Sequence, residues 1–156
     1  MSKEIEIEYP RTLLLENLVG ESLESLEPAV IQTAALAVNR HIRAGGGKPM
    51  GPLVQSVRTV MGSDGTPVQE TRLLRQSQTA VPADGAMVPV PKVLLEKCVL
   101  ARFRGFPSDI DVVYSKVSVF AYENSIELDG TMHLVFVEQG DDRVVVDFFA
   151  SSIGTP

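Results

Sequence analysis

The chain has 156 residues, 44% hydrophobic and 22% charged, with a formal net charge of −6, a composition that suits a globular protein able to bury a core without metals or disulfides. Its acidic balance and scattered arginines argue against a nucleic-acid partner, because phosphate binding needs a basic patch. No apolar run reaches membrane-spanning length, the N-terminus lacks the apolar core of a signal peptide, and the single Cys98 cannot form an internal disulfide, so a cytoplasmic, reducing setting with no membrane contact is expected.

Ile5, Ile7 and Tyr9 alternate with Glu4, Glu6 and Glu8, the period of a half-buried strand with an acidic outer face. Pro10 interrupts this run and residues 12–19 resume it, which predicts a long, bent strand at a sheet edge. A helix is expected over residues 28–44. Pro28 suits its first turn, and two adjacent stripes, Leu26, Val30, Ala34, Ala37, His41 and Ile31, Ala35, Val38, Ile42, predict a broad buried face. Gly45-Gly46-Gly47 reads as a left-handed C-cap. A phosphate-loop reading of Gly45 to Lys48 fails, because that loop lies between a strand and a helix. Residues 52–60 and 68–74 read as strands around a turn at Gly62-Ser63-Asp64-Gly65. Residues 77–91, with Pro82, Gly85, Pro89 and Pro91, read as a connector.

The order then recurs. Residues 98–104 form an apolar run ending at Gly105. Residues 108–126 read as a helix with Ser108 and Asp111 at capping-box spacing and Val113, Val117 and Phe120 as its stripe. Asp129-Gly130 reads as the break that follows, and residues 133–138 and 144–151 read as strands joined by Gly140-Asp141-Asp142. The fold class that follows is α+β: one domain with halves 1–76 and 92–153, each a strand-helix-strand-strand unit. The two would be related by a pseudo-twofold, with an antiparallel sheet, both helices on one face and a ligand cleft at the join.

Asp147 is the most informative polar residue. It sits in Val144-Val145-Val146-Asp147-Phe148-Phe149-Ala150, where both alternating faces are apolar, and a carboxylate there costs several kcal/mol unless it is paired, hydrogen-bonded or neutralised. It is either a negative group in an apolar pocket, or a residue facing solvent or paired with Arg102 or Arg104. Glu138 reads as solvated beside its turn, and Glu70 as a cross-strand partner. Tyr114 and Tyr122 have the apolar body and polar tip that suit a pocket rim. His41 and His133 have no second ligand at metal spacing, and Cys98 reads as inert, so neither a metal nor a cofactor is assigned.

Pro10-Arg11 before the first strand, the Gly-Lys-Pro-Met-Gly-Pro stretch of residues 47–52, and the Ala-Arg-Phe-Arg-Gly-Phe-Pro stretch of residues 101–107 make the chain resemble a known family over nearly its whole length. It is similar to the GyrI-like effector-binding domains of bacterial transcription activators. The resemblance implies a pocket at the pseudo-twofold for small amphipathic or cationic molecules, with aromatic walls and a strand-borne acid. On this chain the expected lining is Asp147, Phe149, Phe136, Tyr114, Tyr122, Met50 and Pro52. It also implies a stand-alone member, since no residues remain for a helix-turn-helix, and it leaves two alternatives: a hydrolase using Asp147 and a Tyr hydroxyl, or an acidic inhibitor of a DNA-processing enzyme.

Overall fold

Alternating and β-branched runs become six strands, and the two helical patterns become α-helices. In chain order these are β1 (Glu4–Ser22), α1 (Pro28–Ala44), β2 (Pro49–Met61), β3 (Pro67–Ser77), β4 (Val88–Gly105), a 3-10 turn (Pro107–Asp109), α2 (Val112–Glu123), β5 (Glu127–Gln139) and β6 (Val144–Gly154). The computed structural model describes residues 4–25, 27–140 and 142–154; Leu26 of the expected stripe and Asp141 of the expected turn lie outside them. The fold is α+β, and the pairs β1–β3, β2–β3, β4–β6 and β5–β6 are antiparallel. Among the described residues, no helix is long and apolar enough to cross a membrane.

The chain divides into two compact units, Leu14–Leu94 and Met1–Leu13 with Leu95–Pro156, called here the N-unit and the C-unit. In the N-unit β3 is central, pairing Leu18 of β1 with Gln76 and Val54 of β2 with Leu74. In the C-unit β6 is central, its Asp147 standing opposite Arg102 of β4 and Val135 of β5. Each unit therefore reads strand, helix, strand, strand, with the last strand inserted beside the first.

In the N-unit α1 buries Ala34, Val38 and Ile42, one row at i, i+4, i+8 and narrower than the two stripes expected. Val38 and Ile42 pack with Val19 and Val81. Gly20 of β1 stands opposite Leu74, and a Cβ there would lie 1.8 Å from the Leu73 carbonyl oxygen, so only glycine permits this approach of β1 to β3. In the C-unit α2 buries Val113, Val117 and Ala121. Tyr114 meets Phe148 edge-on at 5.7 Å, which places on the α2 side the sheet face carrying Phe148 and, two residues away, Val146 and Ala150. The opposite face carries Cys98, Leu100 and Arg102 across from Ser151, Phe149 and Asp147, and His133 across from Phe149.

Several local expectations are corrected. β4 begins at Val88, so that Pro89 and Pro91 lie inside a strand and not in the connector, whereas β1 is the long strand through Pro10 that was expected. The expected helix over 108–126 is shorter, because residues from Pro107 first wind into a 3-10 turn through Asp109–Phe106 and Ile110–Pro107 backbone bonds of 2.9 and 3.2 Å. Asp111 precedes α2 without a side-chain cap, so the Ser108–Asp111 capping box does not form. Phe120 is only half-buried, and Ala121 completes the row in its place. The helix stops at Asn124, whose Nδ2 donates to the Phe120 carbonyl at 2.8 Å, and Ser125 takes a left-handed φ of 55°. Asp129-Gly130 is no helix stop but an irregularity inside β5, where the register shifts between Leu128 and Met132 and Gly130 has φ 88°. Of the three glycines after α1, Gly46 is the left-handed one, at φ 83°.

Candidate functional site

A groove of about 680 Å3 lies in the N-unit, lined by Glu21, Ser22, Leu23, Glu24, Ala29, Val30, Thr33, Ala34 and Ala86. Its shape follows from how β1 hands over to α1. The β1–β3 pairing ends at Ser22 opposite Arg72, and Leu23 adds one more bond, its N–H donating to the Thr71 carbonyl at 2.8 Å. The chain then turns, with the Ser25 hydroxyl accepting from the Glu27 N–H at 3.0 Å. Glu27 is the extended residue before the helix, and Pro28 fills the first helical position, where a missing N–H removes no helix bond. Thr33 turns its hydroxyl back to the Ala29 carbonyl at 2.9 Å, which leaves its methyl free to serve an apolar wall.

The groove is therefore amphipathic. Small apolar side chains, Ala29, Val30, Ala34 and Ala86, leave the volume open, and Glu21 and Glu24 supply two carboxylates with no Lys or Arg among the lining residues. The nearby N-terminus of α1 carries roughly half a positive charge, less than two carboxylates bring, so the local field favours a cation. A smaller cavity of about 40 Å3 shares Glu21, Ser22 and Ala86 with the groove and extends it towards Gly20, Arg72 and Val88. Arg72 is already held by Glu70 at 3.1 Å, and Glu70 also receives Arg58 at 2.8 Å. Glu70 thus forms the cross-strand pair read from the sequence.

The residues named from the sequence are distributed as follows. Asp147, 7% exposed, accepts from Arg102 Nε and Nη2 at 2.6 and 2.7 Å, the ion-pair geometry weighed above. That contact, then its charge, holds the Arg102 guanidinium above its ordinary pKa. Phe149 lies on the same face as Asp147 and is half-buried. Phe136 of β5 stands opposite Val146, on the other face. Tyr114 packs on Phe148, and burial raises its phenol pKa, whereas Tyr122 is 87% exposed. Met50 and Pro52 belong to β2 of the N-unit, Met50 exposed and Pro52 half-buried. None of these seven residues lines the N-unit groove.

Sequence reasoning missed Glu21 and Glu24 as site residues, since nothing separates them from other surface acids until the turn before α1 sets them beside alanines. It also missed the polar row on the C-unit face that carries Asp147. There the Ser151 hydroxyl donates to Asp129 at 2.7 Å, and His133 is 6% exposed with Nδ1 lacking a partner. Burial lowers the His133 pKa, partly offset by Asp129. Cys98 is fully buried, and burial together with Asp129 pushes its thiol up to about 11, the inert state read from its apolar run.

No family model matches the chain, and no curated protein matches it. Solved structures do. The chain is similar to EcmrR in the cryo-EM structure of its DNA complex in EcmrR-RPo, with a TM-score of 0.62, 8% identity, and coverage of 99% of this chain and 58% of that one. It is also similar to a hydrolase from Listeria innocua, with a TM-score of 0.55, 12% identity and coverage of 95% and 92%. SAV2435 bound to tetraphenylphosphonium aligns at a TM-score of 0.49 and 11% identity, over 97% of this chain and 94% of that one. The chain thus spans 58% of the length of EcmrR, and the likeness to EcmrR and to the Listeria protein is one of fold.

Proposed function

We propose that the chain is a small-molecule binding protein of GyrI-like type, and that the N-unit groove takes cationic amphipathic molecules. The observation that carries this reading is the pairing of Glu21 and Glu24 with a floor of Ala29, Val30, Ala34 and Ala86 in a groove of about 680 Å3. That volume lies within the roughly 300–1,000 Å3 of small-ligand sites. An alkyl or aromatic body removes apolar surface from water at about 25 cal/mol per Å2, and an ammonium head meets the carboxylates. Because Glu24 is exposed and Glu21 half-buried, the head adds selectivity more than affinity.

The test keeps the tail constant and changes the head. Dodecyltrimethylammonium, dodecyl sulfate and a neutral dodecyl glycoside, each below its micelle concentration, are titrated calorimetrically. The cation should bind most tightly and the sulfate most weakly. Ala29→Trp, at an exposed position lining the groove, should abolish saturable binding of the cation while leaving the far-UV dichroism unchanged. Equal binding of cation and sulfate, or full binding to Ala29→Trp, would contradict the assignment.

A further inference from the structure

The C-unit holds a second cavity of different character. It encloses about 260 Å3 and is lined by Glu6, Glu8 and Arg11 of β1 and by Leu100 and Arg102 of β4. Arg102 is its fixed point. A guanidinium carries five N–H donors in a rigid fork; Asp147, nearly buried, takes one on Nε and one on Nη2 at 2.6 and 2.7 Å, which sets the plane of the group and leaves the remaining donors for another acceptor. Glu8 pairs with Arg11, and Glu6 reaches Arg104 at 3.5 Å. After Asp147, the charges of Glu6 and Glu8 are the next to act on the Arg102 guanidinium, so these carboxylates and the fixed cation share one small space. Leu100, 8% exposed, adds an aliphatic patch.

The signs on this wall decide what can enter. A simple anion attracted by Arg11 and Arg102 meets Glu6 and Glu8, and a simple cation attracted by the glutamates meets the arginines. A molecule bearing both charges a few bonds apart meets neither conflict. We propose that this cavity binds a free amino acid or an equally small zwitterion, its carboxylate on Arg102 and Arg11, its ammonium on Glu6 and Glu8, and its aliphatic part against Leu100. The volume, below the roughly 300–1,000 Å3 of drug-sized sites, suits one small metabolite. Asp147 acts here as a positioning residue that orients Arg102 before the ligand arrives, and such preorganisation lowers the cost of binding.

The test titrates the full 15N-labelled chain with leucine, and separately with 4-methylpentanoate, which lacks the ammonium, and 3-methylbutylamine, which lacks the carboxylate. Leucine should give saturable shifts of the Glu6, Glu8, Leu100 and Arg102 amides by about 10 mM, with each single-charge analogue at least about tenfold weaker. Glu8→Gln and Arg11→Gln remove an exposed pair that contributes little to stability. Each should weaken leucine about tenfold without moving the melting temperature or the affinity for dodecyltrimethylammonium. The proposal is overturned if leucine gives no saturable shift at these amides, if either analogue binds as tightly, or if both variants bind leucine like the parent.

Discussion

The two units share one topology and differ in what they do with the passage from first strand to helix. In the N-unit, residues 23–25 and 27, between β1 and α1, have no regular structure, and a groove of about 680 Å3 opens against the first turns of the helix. In the C-unit the same passage is wound into the 3-10 turn Pro107–Asp109, and Phe106 before it lies under the Arg143 guanidinium at 5.5 Å, where a cation–π contact holds the ring in place. The strand faces differ as well. Central-strand carboxylates pair with arginines in both units, Glu70 with Arg58 at 2.8 Å and Asp147 with Arg102 at 2.6 Å, but Asp147 is buried and Glu70 half-buried, and the N-unit adds a neutral partner, Asn39 of α1, to Arg75 at 2.9 Å. A repeated topology therefore does not repeat a site: the short segments between the elements decide where space is left, and single polar residues decide its charge.

The largest expected effect lies at the closest backbone approach in the N-unit. Gly20→Ala should cost more than about 3 kcal/mol in urea unfolding, because its Cβ would meet a backbone oxygen that no rotamer can move; a loss under about 1 kcal/mol would show that β1 and β3 separate easily. In the C-unit Phe148→Ala should cost about 3–5 kcal/mol, and Val38→Ala, its smaller counterpart on the α1 side of the N-unit, roughly half as much. Equal losses would remove the asymmetry between an aromatic-filled core and one built from Val and Ile.

Asp147→Asn should cost about 1–3 kcal/mol, less than the 3–5 of a fully buried broken pair, because the Arg102 side chain is 37% exposed and water can take up part of its charge. Asn39→Ala in the N-unit, which removes a neutral partner, should cost about 0.5–1.5 kcal/mol. The order of these two losses, read from denaturant midpoints, checks that removing a charged partner in the C-unit costs more than removing a neutral one in the N-unit.

How much of this was legible follows from the kind of signal. Val144 to Ala150 and Cys98 to Arg104 announced strands by β-branched and apolar runs, and the i, i+4 spacing of Ala34, Val38 and Ile42 announced α1. A carboxylate inside an apolar strand demanded a partner, so Arg102 could be named as one of two candidates for Asp147 before any coordinates. Turn residues misled where sheet pairing outweighed local preference: Pro89 and Pro91 lie within a strand, and Asp129-Gly130 makes a bulge, because such residues are tolerated wherever the ladder is irregular or needs no donor. The groove left no mark in the sequence, since alanines beside two common acids become a site only through the turn that gathers them.

A smaller effect distinguishes the units by pH. Burial holds the His133 pKa below 6.5 in the folded C-unit, so the unfolded chain binds the proton more readily, and stability is lost as pH falls from about 6.5 towards the folded value. His133→Gln should flatten that part of the profile. An unchanged slope in the variant would assign the acid sensitivity to other groups.

The most direct test of the central claim is the affinity of the Glu21→Gln, Glu24→Gln double variant for dodecyltrimethylammonium, measured by calorimetry beside the neutral dodecyl glycoside. Two partly exposed carboxylates at about 0.5–1 kcal/mol each should together supply roughly tenfold in affinity. That loss is expected for the cation, with the glycoside unchanged. A cation affinity equal to that of the parent chain would contradict it.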